Sequence, residues 1–319
     1  MLKLVLRRVF LGLLTVGLVS LIIFGAVEAL PGDACTAILQ QDANGQRLEN
    51  CRAELGLDRP AWTRYGQWVG GVLRGDLGLS THGQRPIAGI VGDRLTNSLL
   101  LGACALALGL PLAFGFGVFA ALQRDRRFDV VVSSTAIGAM TIPEFVSATV
   151  LILLFSAWLG WLPGIVTVPA DAAWTRFFPQ ILLPMIVLAM VMTAHILRTV
   201  RSSMIEVLDS EFVRMATLKG VPWGRRVCFH VLPNALLPAI NVVALTVAWL
   251  LGGVVVIETV FNYPGLGRLT VTAIAERDLA VVQTVALIVS ALYVGINLAA
   301  DLLTLAANPR LRTAVARAA

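Results

Sequence analysis

Charge is what this chain has least of. Asp, Glu, Lys and Arg make up 14% of its 319 residues, where a soluble domain carries about 25%. So few charges cannot cover a globular surface, which excludes an ordinary soluble enzyme. Disorder is excluded for another reason. It needs low hydrophobicity and high net charge, whereas 57% of these residues are apolar and the mean hydropathy is +0.82. A nucleic-acid-binding face is missing too. The net charge is +6, but the basic residues are dealt out between long apolar runs, which is the pattern of a membrane protein.

Motifs that carry chemistry are equally scarce. The four cysteines, Cys35, Cys51, Cys104 and Cys228, show no C-x-x-C and no zinc spacing. Cys104 lies in an apolar run and Cys228 in a mixed segment, and both are expected to be structural. His82, His195 and His230 stand far apart without an H-E-x-x-H spacing, so each is expected as a single structural residue and no metal site follows. No Walker A sequence is present, so the chain cannot bind and hydrolyse ATP through a P-loop. No cluster of Ser, His and Asp or of metal ligands supports an intramembrane enzyme.

What the chain does have is six long windows of apolar residues: Val9 to Val27, Leu95 to Gln123, Val130 to Ala170, Phe177 to Leu197, Val227 to Ile257 and Leu279 to Ala300. Only Glu144 interrupts the third. Each window exceeds the roughly 18 residues expected of a spanning helix, so the prediction is an all-α polytopic membrane protein with six transmembrane helices. The third is expected as one span despite Glu144. The first could be a signal peptide, with Lys3, Arg7 and Arg8 as its basic start. Its apolar stretch is too long for one, and Leu30-Pro31-Gly32-Asp33 offers no clean cleavage site, so it is expected to stay as a helix. With the N-terminus inside, the inner segments hold 15 Lys and Arg against 3 in the two short outer loops. Both termini are therefore expected in the cytoplasm.

The expected organisation is a tail and first span over 1–30, an external loop over 31–94, and a core with spans two to six over 95–319. In the external loop a helical stretch begins near Leu55. Trp62, Tyr65, Trp68, Val69, Val72 and Leu73 then recur at helical spacing, suited either to the membrane interface or to packing on the bundle. Cys35 and Cys51 are placed where oxidation is permitted. They are either a bridge, worth about 3 kcal/mol in the chain-entropy model, or two free thiols. Inside, 198–233 is far longer than a turn. Met204, Ile205, Leu208, Phe212, Met215 and Leu218 recur every three or four residues, predicting one helix, a break at Gly220-Val221-Pro222, and a short second helix. Acids interspersed with the basic residues favour a protein partner over a lipid surface for this pair.

Glu211-Phe212-Val213-Arg214-Met215-Ala216-Thr217-Leu218-Lys219-Gly220, nine further residues and then His230-Val231-Leu232-Pro233 resemble the EAA loop of ABC importer permeases. The resemblance is to the dipeptide, oligopeptide and nickel branch, whose pattern is like EYVRTARAKG. Arg214, Met215 and His230 depart from the general EAA pattern. Three more stretches resemble that branch: Gly75-Asp76-Leu77-Gly78-Leu79-Ser80, Glu258 to Leu269 with Pro264-Gly265 and Gly267, and the spaced Arg277-Asp278, Val282-Gln283, Asn297-Leu298 and Asp301-Leu302. Asn308-Pro309-Arg310 stands where Asp-Pro-Arg is usual.

The resemblance implies a type I importer permease in a bacterial plasma membrane, importing dipeptides, oligopeptides or a related solute. It would pair with a second homologous permease, two ATP-binding subunits and a solute-binding protein. ATP and Mg would bind the partner subunits, and this chain would bind no cofactor. Glu211, Arg214, Ala216, Lys219, Gly220, Leu232 and Pro233 would couple it to the ATPase. Asp76, Gly78, Glu258, Pro264, Gly265 and Gly267 would form an external gate or meet the binding protein. Among ionisable groups in the spans, Glu144 after Pro143 is a candidate for the path or a partnered structural carboxylate. Asp301 is expected to partner a nearby arginine, and Asn241 and Asn297 to bond between helices. The alternative is a stand-alone ion-coupled secondary transporter, which needs inverted repeats and mid-span charges. The sequence shows no repeat, and only Glu144 lies mid-span.

Overall fold

Backbone amides and carbonyls inside a bilayer have no water to bond, so an apolar chain must satisfy them within helices. The computed structural model describes residues 2–29, 33–39, 42–54, 56–81, 84–167 and 173–307, without the side chains of 2–4, 34, 37–38, 237, 241, 251–253 and 303–307. Leu30, Pro31, Gly32, Leu55, His82, the 308–310 stretch and the side chain of Asn241 lie outside the described residues.

Helix α1 (Leu2–Glu28) is followed by the short α2 (Ala34–Leu39), α3 (Gly45–Glu54) and α4 (Ala61–Leu73). Next come α5 (Ile87–Leu122), α6 (Arg127–Thr141) and α7 (Glu144–Leu151), the last continued as a π-helix over Ile152–Trp158. Helix α8 (Trp174–Leu208) leads to α9 (Glu211–Leu218) and α10 (Trp223–Arg226). A π-turn over Val227–Val231 enters α11 (Leu232–Val260), and α12 (Leu266–Ala275) and α13 (Leu279–Ala307) complete the order. Among the described residues four helices, α1, α5, α8 and α13, are long and apolar enough to cross a membrane as single pieces, and two bent pairs bring the number to six where each pair counts as one span. Among the described residues the sheet content is one isolated bridge, Leu79 to Pro86.

The third window differs from the single span expected of it. Its two helices meet at 103° across Ile142-Pro143. Proline restricts the residue before it to extended backbone, and Ile142 has φ −81° and ψ 123°. Pro143 therefore breaks the helix rather than loosening it, and Glu144 opens the next one. The second bent pair turns by 43° beside Pro238.

Helix α8 is the hub: 67% of its apolar window is buried, against 6% for α1, 22% for α5 and 28% for α13. Helix α5 reaches it through small residues at every fourth position, Ala105, Gly109, Ala113, Gly117 and Ala121, the pattern that lets membrane helices approach closely. A Cβ on Gly117 would stand 3.0 Å from the Leu197 carbonyl oxygen and from Val200. Thr193 Oγ1 donates to the Gly109 carbonyl at 3.2 Å. Helix α1 lies against α13 and leaves Phe10, Leu13 and Ile22 exposed, as a lipid-facing helix should. Arg8 pairs with Asp301 across that contact, the arginine partner expected for Asp301. Asn297 instead donates to the Tyr293 carbonyl of its own helix at 2.8 Å, and among the described residues no bond from it to another helix is seen.

At the end carrying the cysteines, Cys35 and Cys51 are bonded, with Cα atoms 5.9 Å apart. Asp33 caps α2: it accepts from the Thr36 amide at 2.8 Å while Thr36 Oγ1 accepts from the Asp33 amide at 2.9 Å, a reciprocal cap. Arg52 on α3 donates to the same carboxylate at 2.6 Å. Partial burial pushes the Asp33 carboxyl up, but the Thr36 amide and the Arg52 guanidinium outweigh it and hold the group below its usual 3.8. Helix α4 packs on α1 through Phe24, Tyr65 and Trp68, and the Tyr65 hydroxyl meets Ser20 Oγ at 2.8 Å, while Trp62 stays exposed.

Candidate functional site

The 198–233 segment breaks earlier than its apolar period indicates. Helix α8 runs 35 residues to Leu208, about 52 Å, so it continues well beyond a hydrocarbon core of about 30 Å. The chain then turns at Asp209-Ser210, and α9 is a separate helix. This corrects the single helix expected from Met204 to Leu218. Arg124, in the turn between α5 and α6, holds Asp209 at 2.9 Å. About two turns further up, Arg201 grips Asp129 of α6 with two bonds of 2.5 and 2.7 Å. The break is thus tied to two neighbouring helices by paired charges.

Helix α9 ends in a Schellman turn. The Val221 amide reaches the Ala216 carbonyl at 3.1 Å and the Gly220 amide reaches Thr217 at 3.0 Å, with Gly220 at φ +74°. This left-handed position favours glycine strongly. Pro222 then precedes α10, and Arg226 Nη1 returns to Thr217 Oγ1 at 2.5 Å. The two short helices therefore form one braced unit. Val213 and Ala216 face inward, whereas Phe212, Met215, Leu218 and Trp223 face outward, Leu218 being 77% exposed.

The coupling residues named from the sequence divide into two groups. Ala216, Gly220, Leu232 and Pro233 shape the unit, the last two being the first residues of α11. Glu211, Arg214 and Lys219 lie outside on α9 or its cap, and Glu211 and Arg214 pair at 3.2 Å. Phe212, Met215 and Leu218 had been visible only as an apolar periodicity, which does not say which way the face turns.

At the cysteine end the Glu258 stretch folds into a buried knot. Glu258 is fully buried. Its carboxylate accepts from Ser98 Oγ, from the Gly267 amide at 2.7 Å and from the Arg268 amide at 3.1 Å, filling the free donors at the start of α12. A Cβ on Gly265 would lie 2.0 Å from Glu258 Oε1, and one on Gly267 would lie 2.5 Å from Val255 Cα. Both glycines are therefore demanded by close approach. Around the knot, Tyr263 Oη donates to the Asn97 carbonyl at 2.7 Å and Asn97 Nδ2 to the Pro264 carbonyl at 2.8 Å.

Asp76 and Gly78 lie apart from this knot. The Gly78 amide donates to Asp76 Oδ1 at 2.9 Å, and Ser80 of the same turn bonds buried Asp278 before α13. Asp76 itself remains exposed. Of the gate residues named from the sequence, four build the buried knot and two build an exposed turn. Nothing in the sequence singles out Ser98, which is 160 positions from Glu258, and Asp278, legible only as part of the Arg277-Asp278 stretch, is 198 positions from Ser80.

Glu144 opens α7 with one buried carboxylate oxygen, Oε2, that has no hydrogen-bond partner. It does not line the groove between α8 and α11. That groove, of about 650 Å³, is walled by His195, Arg198, Ser202 and Glu206 of α8 and by Leu245 and Trp249 of α11, among others. Among the described residues no three His, Cys, Asp or Glu side chains gather as a metal site.

Two family models cover the chain. Residues 113–313 match the binding-protein-dependent transport system inner membrane component, and residues 1–99 match the N-terminal membrane component of such systems. A putative peptide transport system permease protein of Brucella abortus (strain 2308) is 36% identical over 315 residues, covering 98% of this chain and 99% of the relative. The glutathione transport system permease protein GsiC of Escherichia coli (strain K12) is 36% identical over 313 residues, with the same shares of 98% and 99%.

Proposed function

The chain belongs to the family of binding-protein-dependent transport system inner membrane components, and from that premise we propose that it is one half of an ATP-driven importer for short peptides or glutathione. As a family member it is a multi-pass inner-membrane permease subunit. The solute class is carried over from relatives named for peptide and glutathione transport. The basic end lies in the cytoplasm, in keeping with the excess of Lys and Arg there. A second homologous permease closes the path, a solute-binding protein delivers solute to the cysteine end, and two ATPase subunits, which hold ATP and Mg, sit below.

The observation that carries the coupling role is the outward apolar row Phe212, Met215, Leu218 and Trp223 on the braced α9–α10 unit. Exposed apolar side chains beyond the bilayer, rimmed by Glu211, Arg214 and Lys219, suit the groove of a protein partner. When the ATPase subunits close, a push on α9 passes through the Arg124–Asp209 and Asp129–Arg201 pairs into α5, α6 and α8. This chain's own chemistry is mechanical: it couples, orients and gates, and the partner subunits hydrolyse the nucleotide.

The test is Gly220→Pro. Proline fixes φ near −65° and has no amide hydrogen, so it can neither take φ +74° nor bond Thr217. The variant is expected to insert normally and to lose both solute uptake and binding-protein-stimulated ATP hydrolysis in the assembled complex. Wild-type uptake by that variant contradicts the coupling role.

A further inference from the structure

The α8–α11 groove is the least explained feature of the molecule. On α8, His195, Arg198, Thr199, Ser202 and Glu206 follow helical spacing and form one polar face. The opposite side of the helix buries Ile196, Leu197, Val200 and Met204. The charged part of this face begins where the apolar window ends at Leu197, so it lies at the mouth of the span, where its exposed charges can meet a solute leaving the membrane. Among the described residues neither Arg198 nor Glu206 has an ion-pair partner. The closest polar contact of Arg198 is Met140 Sδ at 3.8 Å. A basic stripe alone would fit lipid phosphates, but this face carries one cation and one anion.

We propose that this groove is a station for a zwitterionic short peptide on its way through the membrane. This rests on the peptide reading given above. Arg198 and Glu206 are eight residues apart, about 12 Å along the helix, and three extended residues span about 10–11 Å. The Arg198 guanidinium takes the terminal carboxylate, for which its planar fork is suited. Glu206 takes the terminal ammonium, and the Thr199 and Ser202 hydroxyls lie between them for the peptide backbone. Leu245 and Trp249, exposed on α11, provide an apolar wall that accepts different side chains. Glu206 lies toward the basic end, so the peptide passes amino terminus first.

The experiment uses the complete importer in vesicles, with its partner permease, ATPase subunits and binding protein. The probes are trialanine, trialanine amide and N-acetyl-trialanine, each rate divided by the wild-type rate for the same peptide. Arg198→Gln is expected to lower trialanine uptake about 10-fold or more and to leave the amide within twofold. Glu206→Gln is expected to do the same for trialanine and to spare the N-acetyl peptide. Binding-protein-stimulated ATP hydrolysis stays within twofold in both. In a parallel titration, trialanine should quench Trp249 emission in the wild-type complex and not in either variant, with Trp249→Phe identifying the signal. Equal losses for free and blocked peptides, together with lost ATP hydrolysis, would assign these charges to the second permease and overturn the proposal. Unchanged trialanine uptake and quenching in both variants overturn it as well. A wild-type complex that carries none of the three peptides overturns the peptide reading and the groove together, whereas normal wild-type uptake with unaffected variants overturns the groove alone.

Discussion

Glu258→Ala removes the acceptor at the centre of the buried knot. Three donors lose their partner at once: Ser98 Oγ, the Gly267 amide and the Arg268 amide. Leu266 also donates to Ser98 Oγ at 2.8 Å, so the hydroxyl is left as an acceptor while its own proton is orphaned. Each unsatisfied buried donor costs about 1–3 kcal/mol, and water can reach the Arg268 amide more readily than the other two. The expected destabilisation is therefore on the order of 3 kcal/mol. With an unfolding entropy of about 2.1 cal/mol/K per residue, a chain of this length would melt roughly 4–5 °C lower. The assay is thermal unfolding of the purified chain in detergent, followed by loss of the monodisperse peak. Ser98→Ala combined with Glu258→Ala should cost less than the sum of the single variants, since one removes the other's partner. A Glu258→Ala melting point within 1 °C of wild type would refute the idea that the carboxylate holds the start of α12 in place.

Helix proximity gives a matched pair: Gly117→Ala should destabilise by about 1–3 kcal/mol through overpacking because its Cβ would meet α8 at 3.0 Å, whereas Gly115→Ala, with nothing within 4 Å, should be neutral or slightly stabilising in the same melt. Asp33 has a lowered pKa, so its contribution is present above the ordinary carboxylate value and is lost as pH falls through the lowered one. Hydrogen exchange in α2 and α3, corrected for intrinsic rate, should stay protected while Asp33 is ionised and open only as pH falls below the ordinary carboxylate range, and Asp33→Asn should abolish that step; opening already at pH 5 would contradict the cap. Reduction of Cys35–Cys51 should raise exchange in the same segment and leave α8 unchanged, and equal protection of the segment before and after reduction would show that the bridge adds nothing.

The apolar windows made the long apolar helices and the all-α class legible, because bilayer length and charge avoidance act on single segments. The Gly220 turn was legible for the same reason: glycine followed by Val221 and Pro222 is a local stop signal. What escaped depended on partners far away in the sequence. Asp129 and Arg201 are 72 positions apart, and nothing in either neighbourhood names the other. The stop at Asp209-Ser210 is hidden because the apolar period runs through it, and the Arg124 that bonds Asp209 is 85 positions away. The 103° bend is not legible because a proline inside an apolar window reads equally as a flaw in one helix and as the start of the next. The small-residue stripe of α5 was present in the sequence as a four-residue repeat, and only the presence of α8 against it gives it meaning. Phe212, Met215 and Leu218 show the limit of amphipathicity most clearly, since the apolar period gives the face of α9 and not the direction in which it turns, which is outward.

The central claim is that this subunit moves solute only when a separate nucleotide-driven motor acts on α9. The direct measurement is solute accumulation in vesicles holding the chain and its partner permease, with and without the ATPase subunits and ATP. Accumulation is predicted only with both present, and none from the permease chains alone under an imposed proton or sodium gradient. Accumulation by the chain on its own, at the rate of the full complex, would contradict the account.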